Sequence, residues 1–526
     1  MNLLSGILKS YTAFPDHKAL KIGDKSYSYS ELITIANTWA YSIKSGLHAQ
    51  QVKRIGILAA KEFTSYTGII TSLMLGATYI PIHSKLPTDR IINIIEQSEL
   101  DIIIFDSHYS QILNTACKTL LEQNNKRIKT FCYENIKLNE FQYFESVPLV
   151  CSHENIFLNT NINESDIAYI LFTSGSTGNP KGVPISHKNV CRFLAYNQAR
   201  YQITPADKLS QTFEHSFDLS VFDMFMAWFH GASVHCITPI ELLSPEAFIN
   251  ENNITVWFSV PAIIGLLKRQ NFLEKNIFPT LRLSLFCGEP LLADYIKSWA
   301  EAAPNSVCEN LYGPTELTIC CAHYCWQQCN NIIHNDIVSI GQIYSHLNFC
   351  IINENNEIIN NDEKGELCVS GEQMFSGYLN KADNENKFIT KKVENNEYNF
   401  YKTGDIVKRD QTGNLLYIGR IDRQIKLNGY RIELSEVENI IQTQKNVENV
   451  VAALVENKIT NEKYISIHAF GNVNIEDIEK HIELKVPSYM KPKKIKVSKE
   501  PILNSNGKLD RKSVHNQLLL EGSQNA

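Results

Sequence analysis

The feature that most constrains this chain is an apolar run that breaks into a loop of glycines and hydroxyl residues. The run from Ile167 to Phe172 predicts a buried strand, and residues 173–182 read Thr-Ser-Gly-Ser-Thr-Gly-Asn-Pro-Lys-Gly. Glycines let a ligand approach the main chain, whose N–H groups can then donate to phosphate oxygens. A mobile surface loop is the alternative, but linkers seldom follow a buried strand. The predicted phosphate-binding residues are Thr173, Ser174, Gly175, Ser176, Thr177, Gly178 and Lys181.

This loop differs from a Walker loop. A Walker loop places Gly-Lys-Ser/Thr at the start of a helix, so that the hydroxyl ligates magnesium. Here Lys181 follows Pro180 and precedes Gly182. We therefore expect Lys181 to supply a mobile positive charge.

Length and composition narrow the class of protein. A chain of 526 residues exceeds the ~250–300 residues that one core can serve, so two or more domains are expected. A net charge of −6 argues against a nucleic-acid partner, and no apolar span approaches membrane length. Thirteen cysteines, an odd number, favour a reducing, cytoplasmic compartment.

Helix and strand patterns alternate along the first half of the chain, which predicts an α/β fold with largely parallel sheets. One helix is expected to start with Ser30 as its N-cap and to stop at Gly46. Residues 107–165 show no clear motif and are expected to form surface connections. The stretch 365–420 predicts a β-rich subdomain. A strand pair and an amphipathic helix follow, so we predict a large domain over 1–420, built of stacked α/β subdomains plus the β-rich subdomain, and a small α+β domain over 421–526.

Asp218 stands among aromatic and aliphatic residues in the stretch 214–225. An uncompensated carboxylate is costly to bury, so this one needs a cationic partner. Aspartate before a helix is also a common N-cap. Spacing alone leaves both interpretations open.

A second ligand motif is Asn-Leu-Tyr-Gly-Pro-Thr-Glu, residues 310–316. The Gly-Pro pair forces a turn after a strand, so Tyr312 and Glu316 are expected at a strand end, where open α/β sheets bind ligands. An ordinary turn is the alternative. Two motifs of the kind that bind nucleotides seldom occur in one chain by chance, which disfavours that alternative.

Together these stretches resemble the adenylate-forming superfamily of acyl-CoA synthetases, luciferases and the adenylation enzymes of nonribosomal peptide synthesis. The resemblance spans nearly the whole chain, and it implies that the loop grips the triphosphate of ATP and the leaving pyrophosphate. It also implies that Tyr312 stacks on adenine and Asn310 contacts the adenine edge. Thr315 would meet the α-phosphate, and Glu316 would ligate Mg²⁺.

The resemblance extends to the C-terminal third. Asp405 would accept hydrogen bonds from the ribose hydroxyls, with Arg420 adding a cation nearby. Lys508, in an Asn-Gly-Lys turn, would bridge the substrate carboxylate and the phosphate. Asp422 would be the hinge about which the small domain turns. The alternative for Asp405 and Arg420 is a solvated hairpin without a ligand, and the alternative for Lys508 is an ordinary surface charge.

In amino-acid-activating members, the aspartate at the position of Asp218 binds the substrate's α-ammonium group. The same pattern places an apolar, tight pocket around the substrate, which indicates a compact apolar amino acid. Its residues would be Asp218, Leu219, Phe222, Ala262, Leu285, Cys287, Leu311, Ile319, Cys320 and Lys508. Several stretches look most like free-standing L-prolyl adenylation enzymes, and others like D-alanine:carrier-protein ligases, so alanine is the next choice. Phe222 and Ala262 depart in size from a prolyl pocket.

The predicted activity is therefore that of an AMP-forming ligase, which makes an aminoacyl-adenylate and transfers the acyl group to the phosphopantetheine thiol of a carrier protein. No Gly-Gly-x-Ser attachment motif follows Lys508, so the carrier is expected in trans. A CoA ligase for an acyl or aryl acid is one alternative, against which Asp218 argues. A non-catalytic nucleotide-binding relative is another. The presence of Lys181, Glu316, Asp405 and Lys508 argues against it.

Overall fold

A computed structural model describes residues 1–47, 51–134, 143–151, 154–159, 161–175, 179–359, 362–394, 396–457, 460, 462–503 and 509–524. The α-helices, α1 to α13 in chain order, are Leu3–Ala13, Tyr29–Gly46, Phe63–Met74, Thr88–Ser98, Ser110–Asn124, His187–Tyr201, Leu219–Trp228, Pro245–Asn252, Pro261–Arg269, Ala293–Ala302, Leu434–Gln442, Ile475–Lys485 and Arg511–Gln524. The strands from β1 to β14 are Lys18–Ile22, Lys25–Ser28, Arg54–Leu58, Thr78–Ile82, Ile102–Phe105, Ile128–Phe131, Phe144–Val147, Ile167–Thr173, Lys181–Ser186, Lys208–Gln211, Ser233–Cys236, Val256–Ser259, Leu283–Phe286 and Val307–Tyr312. The strands from β15 to β28 are Ala322–Cys325, Ile333–His334, Ile337–Val338, Gln342–Ile343, Asn348–Ile352, Lys364–Ser370, Phe388–Val393, Asn396–Arg409, Leu415–Arg420, Gln424–Leu427, Tyr430–Glu433, Val447–Glu456, Lys463–Gly471 and Lys494–Ser498. Short 3₁₀ turns lie at Ser107–Tyr109, Ile156–Asn159, Glu241–Leu243, Thr315–Leu317, Lys381–Asn384 and Ser488–Met490.

The chain forms two compact units. The first comprises Met1–Ser84, Ile94–Phe172 and Gly182–Ile421, and the second comprises Lys85–Asn93, Thr173–Lys181 and Asp422–Ala526. The second unit thus includes two short segments from the first half of the sequence, and one of them is the glycine-rich loop.

A nine-stranded sheet of the first unit positions the ligand motifs. Its order is β18-β15-β14-β13-β12-β10-β11-β1-β2, and the strands from β10 to β14 that neighbour one another run parallel. Asp218 follows the carboxyl end of β10, Cys287 follows β13, and Tyr312 ends β14. Because parallel strands end at one edge of a sheet, these residues share that edge, where α/β sheets bind ligands.

The seven-stranded sheet of the first unit has the order β7-β6-β5-β3-β4-β8-β9. It corrects the expectation that residues 107–165 form surface connections, since this stretch supplies helix α5 and two parallel strands of the sheet, β6 and the edge strand β7. Polar and charged residues alternate here with the buried Leu113, Ala116, Leu120 and Phe131, and they obscured the apolar inner positions. The glycine-rich loop joins β8 to β9.

The predicted β-rich subdomain is a five-stranded sheet of order β19-β20-β22-β21, with β23 paired to β22. Antiparallel pairing of β22 with β23 sets Asp405 opposite Arg420. The two residues are thereby held side by side.

Helix α2 begins earlier than predicted. Its N-cap is Ser28, not Ser30: the Ser28 hydroxyl accepts from the Glu31 N–H at 3.1 Å, and the Glu31 carboxylate accepts from the Ser28 N–H at 2.7 Å. This is a capping box, which a Ser-x-x-Glu spacing encodes.

In the second unit, a hairpin of β24 and β25 leads into α11, and a separate sheet has the order β26-β27-β28. The core of this unit includes the fully buried Val437, Ile467 and Ile478. The prediction of an α/β protein that ends in a small α+β part is confirmed. Among the described residues, no helix is long and apolar enough to cross a membrane.

Candidate active site

In the described part of the glycine-rich loop, one main-chain N–H group donates to an anion. The Gly175 N–H donates to a carboxylate oxygen of Glu436 at 3.2 Å, and the guanidinium of Arg90 pairs with the same carboxylate. The Ser174 hydroxyl donates to the carbonyl of Arg431 at 2.8 Å. Amide and guanidinium groups that converge on an oxyanion are an arrangement that phosphate can use.

Glycine is required at position 175, because a Cβ atom there would clash with the main-chain oxygen of Asn179. Thr173 ends β8 and Lys181 begins β9, so both flank the loop. The predicted phosphate ligands Ser176, Thr177 and Gly178 lie outside the described residues.

Asp218 lies directly before helix α7 and is 7% exposed. It stands at the N-cap position, yet its main chain is helical and its side chain makes no capping hydrogen bond. Its Oδ2 atom is buried and has no hydrogen-bond partner among the described residues. The capping alternative therefore loses its main support, and the carboxylate has an oxygen available for a cation.

The electrostatics of Asp218 agree with that geometry. Burial raises the pKa of its carboxyl to about 6, and the charge of Glu316 acts in the same direction. Hydrogen bonds from the Thr315 hydroxyl and from the main chain of Ile319 lower the pKa only in part. A bound ammonium group would stabilise the ionised form.

Tyr312, Asp405 and Arg420 meet in the first unit. The Tyr312 hydroxyl donates to Asp405 Oδ2 at 2.6 Å, and Arg420 donates to Asp405 Oδ1 at 2.6 Å. The Asp405 carboxylate is 3% exposed and has spare lone pairs on both oxygens. The structure thus brings together the residues predicted to hold the adenosine end of a nucleotide.

Asn310 is placed differently from the other nucleotide residues. Its side-chain amide donates to the carbonyls of Ser339 at 2.9 Å and of Val338 at 3.3 Å, and the residue is 2% exposed. These donors are committed to main-chain oxygens. The predicted contact of Asn310 with adenine stays a prediction, and it would have to use the side-chain carbonyl or follow a rearrangement.

Thr315 and Glu316 lie on the 3₁₀ turn after β14. The Glu316 carboxylate is fully buried and accepts from the hydroxyl of Tyr378 at 2.6 Å. Carboxylate oxygens are the ligands that Mg²⁺ prefers, so Glu316 fits the predicted role. Tyr378, which sequence reasoning missed, fixes the orientation of Glu316.

The residues predicted to line the side-chain pocket are buried. Apart from the half-buried Ala262, each is at most 5% exposed, and the set is Leu219, Phe222, Leu285, Cys287, Leu311, Ile319 and Cys320. The Phe222 ring packs against Phe258 with centroids 5.2 Å apart and against Tyr201 at 6.1 Å. The predicted pocket residues therefore belong to an apolar, aromatic-rich part of the core.

A polar network behind this pocket was also missed. The Cys320 thiol lies 3.0 Å from the Tyr344 hydroxyl, and the Tyr201 hydroxyl donates to Glu309 at 2.7 Å. Arg200 makes two hydrogen bonds to the Glu309 carboxylate, of 2.7 and 2.6 Å. Arg200 and Glu309 lie 109 positions apart, so their pairing carries no local sequence signal.

Two predicted residues remain, Lys508 and Asp422. Lys508 lies outside the described residues. Asp422 is the first residue after the first unit, and its carboxylate accepts from the main-chain N–H of Gln424 at 3.2 Å. Its role as a hinge stays a prediction.

Comparison with known proteins assigns the class of protein. Residues 8–379 match the family described as AMP-binding enzyme. The match covers most of the chain, and the chain belongs to this family.

Individual relatives and a solved structure narrow the comparison further. The chain is 28% identical over 512 residues to tyrocidine synthase 1 of Brevibacillus parabrevis, covering 95% of this chain but 44% of that protein. It is 28% identical over 538 residues to the D-alanine--D-alanyl carrier protein ligase of Bacillus velezensis, covering 99% of this chain and all of that one. The crystal structure of the Vibrio cholerae adenylation domain AlmE in complex with glycyl-adenosine-5'-phosphate is similar with a TM-score of 0.86 and 27% identity, covering 98% of this chain and 97% of that one.

Proposed function

We propose that the chain activates a small amino acid with ATP to form an aminoacyl-adenylate, and then transfers the aminoacyl group to the phosphopantetheine thiol of a carrier protein. The observation that carries the proposal is the buried Asp218 carboxylate, whose Oδ2 atom lacks a partner among the described residues. An acyl chain would leave that charge uncompensated, whereas an α-ammonium group would pair with it.

The first half-reaction joins two anions, so its barrier depends on neutralising their charge. A carboxylate oxygen of the amino acid attacks the α-phosphorus of ATP, and pyrophosphate leaves. Lys181 would balance charge on the leaving phosphates, and Lys508 would do so at the α-phosphate, where the Thr315 hydroxyl would also donate. Mg²⁺, held by Glu316, would neutralise phosphate charge when bound.

The second half-reaction is acyl transfer. The thiolate of the carrier attacks the acyl carbon of the mixed anhydride, a thioester forms, and AMP leaves. AMP would be held by Tyr312, by Asp405 as acceptor for the ribose hydroxyls, and by Arg420. We propose that residues 421–526 form a small domain that turns about Asp422 between the two half-reactions. Lys508 would then act in the first half-reaction, adenylation.

The proposed substrate has a compact side chain. The Phe222 ring supports this, because it is bulky, fully buried and packed against Phe258 and Tyr201, and so limits the side chain that can lie beside it. L-Proline is the substrate that the sequence pattern favours. Alanine, D-alanine and glycine compete with it, since the relatives include a D-alanine ligase and a domain solved with a glycyl-adenylate.

The experiment is amino-acid-dependent exchange of labelled pyrophosphate into ATP, with glycine, both alanines, L-proline, the larger proteinogenic amino acids and simple aryl and fatty acids. The proposal expects exchange with one or more of the first four and at least tenfold less with leucine or phenylalanine. Exchange with aryl or fatty acids alone would refute it. Loading of a phosphopantetheinylated carrier, followed by mass spectrometry, tests the second step.

A further inference from the structure

One main-chain segment carries both halves of the proposed site. Residues 315–320 hold Thr315 and Glu316 on the nucleotide side and Ile319 and Cys320 on the amino-acid side. If this segment shifts, both substrates lose their contacts together. What holds the segment is therefore central to the proposed reaction, on which this inference rests.

The segment is strained. Thr318 has a φ of 60° and Ile319 a φ of 74°, and both residues are β-branched. Left-handed main chain is a genuine outlier for β-branched residues and persists only where the surroundings impose it. Main-chain hydrogen bonds hold part of it: the Thr318 carbonyl accepts from the Cys320 N–H at 3.0 Å, and the Glu316 carbonyl accepts from the Phe375 N–H at 2.9 Å.

The Gln373 side chain adds hydrogen bonds to the carbonyls of this segment from a distant part of the chain. Its Nε2 lies 2.9 Å from the carbonyl oxygen of Cys320, 3.2 Å from that of Leu317 and 3.4 Å from that of Thr318. In return, the Thr318 hydroxyl donates to the main-chain oxygen of Gln373 at 2.5 Å. Gln373 is fully buried, so no water competes for these bonds.

The Gln373 side chain is itself oriented. Its Oε1 lies 2.7 Å from His346 Nε2, and because the amide nitrogen serves the three carbonyls, Oε1 is the acceptor and Nε2 the donor. Burial lowers the pKa of His346, so the ring is neutral near pH 7. Asn189 fixes the neighbouring main chain by donating to the carbonyls of Glu372 at 2.7 Å and Met374 at 3.1 Å.

We propose that Gln373 is a positioning residue for adenylation: through its amide it fixes the strained segment 315–320, and so sets the geometry of the nucleotide and amino-acid sites together. A residue that serves only stability would change the amount of folded enzyme. A residue that sets this geometry changes the KM values of the folded enzyme.

The test uses Gln373→Met, which keeps the length of the side chain and removes its hydrogen bonds, and Gln373→Glu, which removes the NH₂ donor. Glu372→Gln is the matched control, since the carboxylate of the adjacent Glu372 is exposed and pairs with Lys188 and Arg192. In Gln373→Met we expect the KM values for ATP and for the amino acid both to rise by about tenfold or more. Gln373→Glu should be worse, because its carboxylate would face three carbonyl oxygens.

A second measurement does not depend on the substrate. Hydrogen–deuterium exchange should show the amides of Leu317, Thr318 and Cys320 exchanging about tenfold faster in Gln373→Met than in the wild type and in Glu372→Gln. AMP affinity, measured by calorimetry, should fall in parallel. If folded Gln373→Met keeps wild-type amide exchange, AMP affinity and KM values, the inference is wrong. A wild-type chain without amino-acid-dependent exchange would instead refute the proposed function, while amide exchange and AMP affinity still decide the role of Gln373.

Discussion

At the scale of single residues, Asp218 is proposed to lower the stability of the empty enzyme in return for binding the substrate's ammonium group. Its carboxylate is buried in apolar surroundings, and burial raises its pKa to about 6. Such a group costs free energy in the empty site and regains it when a cation binds. Residues of this kind are the ones whose removal stabilises a protein while abolishing its activity.

Replacing Asp218 by Asn should therefore raise stability and remove amino-acid activation. We expect the free energy of unfolding at pH 7.5 to rise by about 1–3 kcal/mol, because the shift from 3.8 to about 6 disappears. The value of kcat/KM for the amino acid should fall at least about 100-fold, while AMP affinity stays within about twofold. Denaturant unfolding and exchange kinetics measure the two effects.

Asp223→Asn is the matched control on the same helix. Asp223 is 1% exposed, burial raises its pKa well above the usual value, and neither of its oxygens has a partner among the described residues. Its replacement should leave amino-acid kinetics unchanged. Equal losses in both variants would show that a buried acid on α7 is needed for folding rather than for recognition.

Amino-acid recognition should also depend on pH through Asp218. Below pH 6 the carboxyl takes up a proton and loses the charge that pairs with ammonium, so the KM for the amino acid should rise by up to about tenfold per pH unit. In Asp218→Asn this rise should be absent. The same group binds more protons folded than unfolded between pH 3.8 and about 6, so its contribution to stability falls as the pH rises through that window. A KM that is flat from pH 7.5 to 5 in the wild type would contradict the assignment.

At the scale of elements, the glycine-rich loop depends on a main chain that only glycine permits. Gly175→Ala would place Cβ against the carbonyl of Asn179, a rigid group that must shift. We expect the KM for ATP to rise by about tenfold or more with the fold retained. Gly68→Ala in α3, whose Cβ would make ordinary contacts with Ile57 and Ile104, is the control and should leave the KM unchanged. An unaltered KM for ATP in Gly175→Ala would show that the loop does not bind the phosphates.

The start of helix α2 offers a prediction about stability alone. Ser28→Ala removes the acceptor of a capping box and should cost about 1 kcal/mol in the free energy of unfolding. Ser30→Ala, at the position that sequence reasoning chose, should cost less than about 0.5 kcal/mol. Urea titrations of the two variants decide between them, and a reversed order would mean that the capping box does not form.

At the scale of the whole molecule, the parts of the fold that short-range sequence patterns encode can be predicted from the sequence. The alternation of strand and helix gives the α/β class, and the run before Thr173 gives β8 and the loop after it. Asp405 and Arg420 lie on strands that pair, so their meeting follows from one antiparallel register. The first two predictions succeed because periodicity and turn chemistry are encoded within a few residues, whereas the pairing of Asp405 with Arg420, 15 positions away, is expected from the family resemblance.

What the sequence does not predict depends on distant pairs. Tyr378 reaches Glu316 from 62 positions away, and Gln373 reaches Cys320 from 53. The donors of Asn310 are taken by the carbonyls of residues 338 and 339, a choice that only the packed sheet decides. Such contacts are set by tertiary structure, and a single sequence carries no local signal for them.

The central claim is that Asp218 recognises an ammonium group. The ratio of the exchange rates with an amino acid and with its deamino analogue tests it most directly. Pyrophosphate exchange is measured with L-alanine and with propionate, which differ by the amino group, in the wild type and in Asp218→Asn; if another amino acid is preferred, that amino acid and its deamino acid replace the pair. The account predicts that the wild type prefers the amino acid to the deamino acid by at least about 1,000-fold. In Asp218→Asn this preference should be no more than about tenfold. A wild-type preference that survives the substitution unchanged, or a wild type that uses both acids equally, would contradict it.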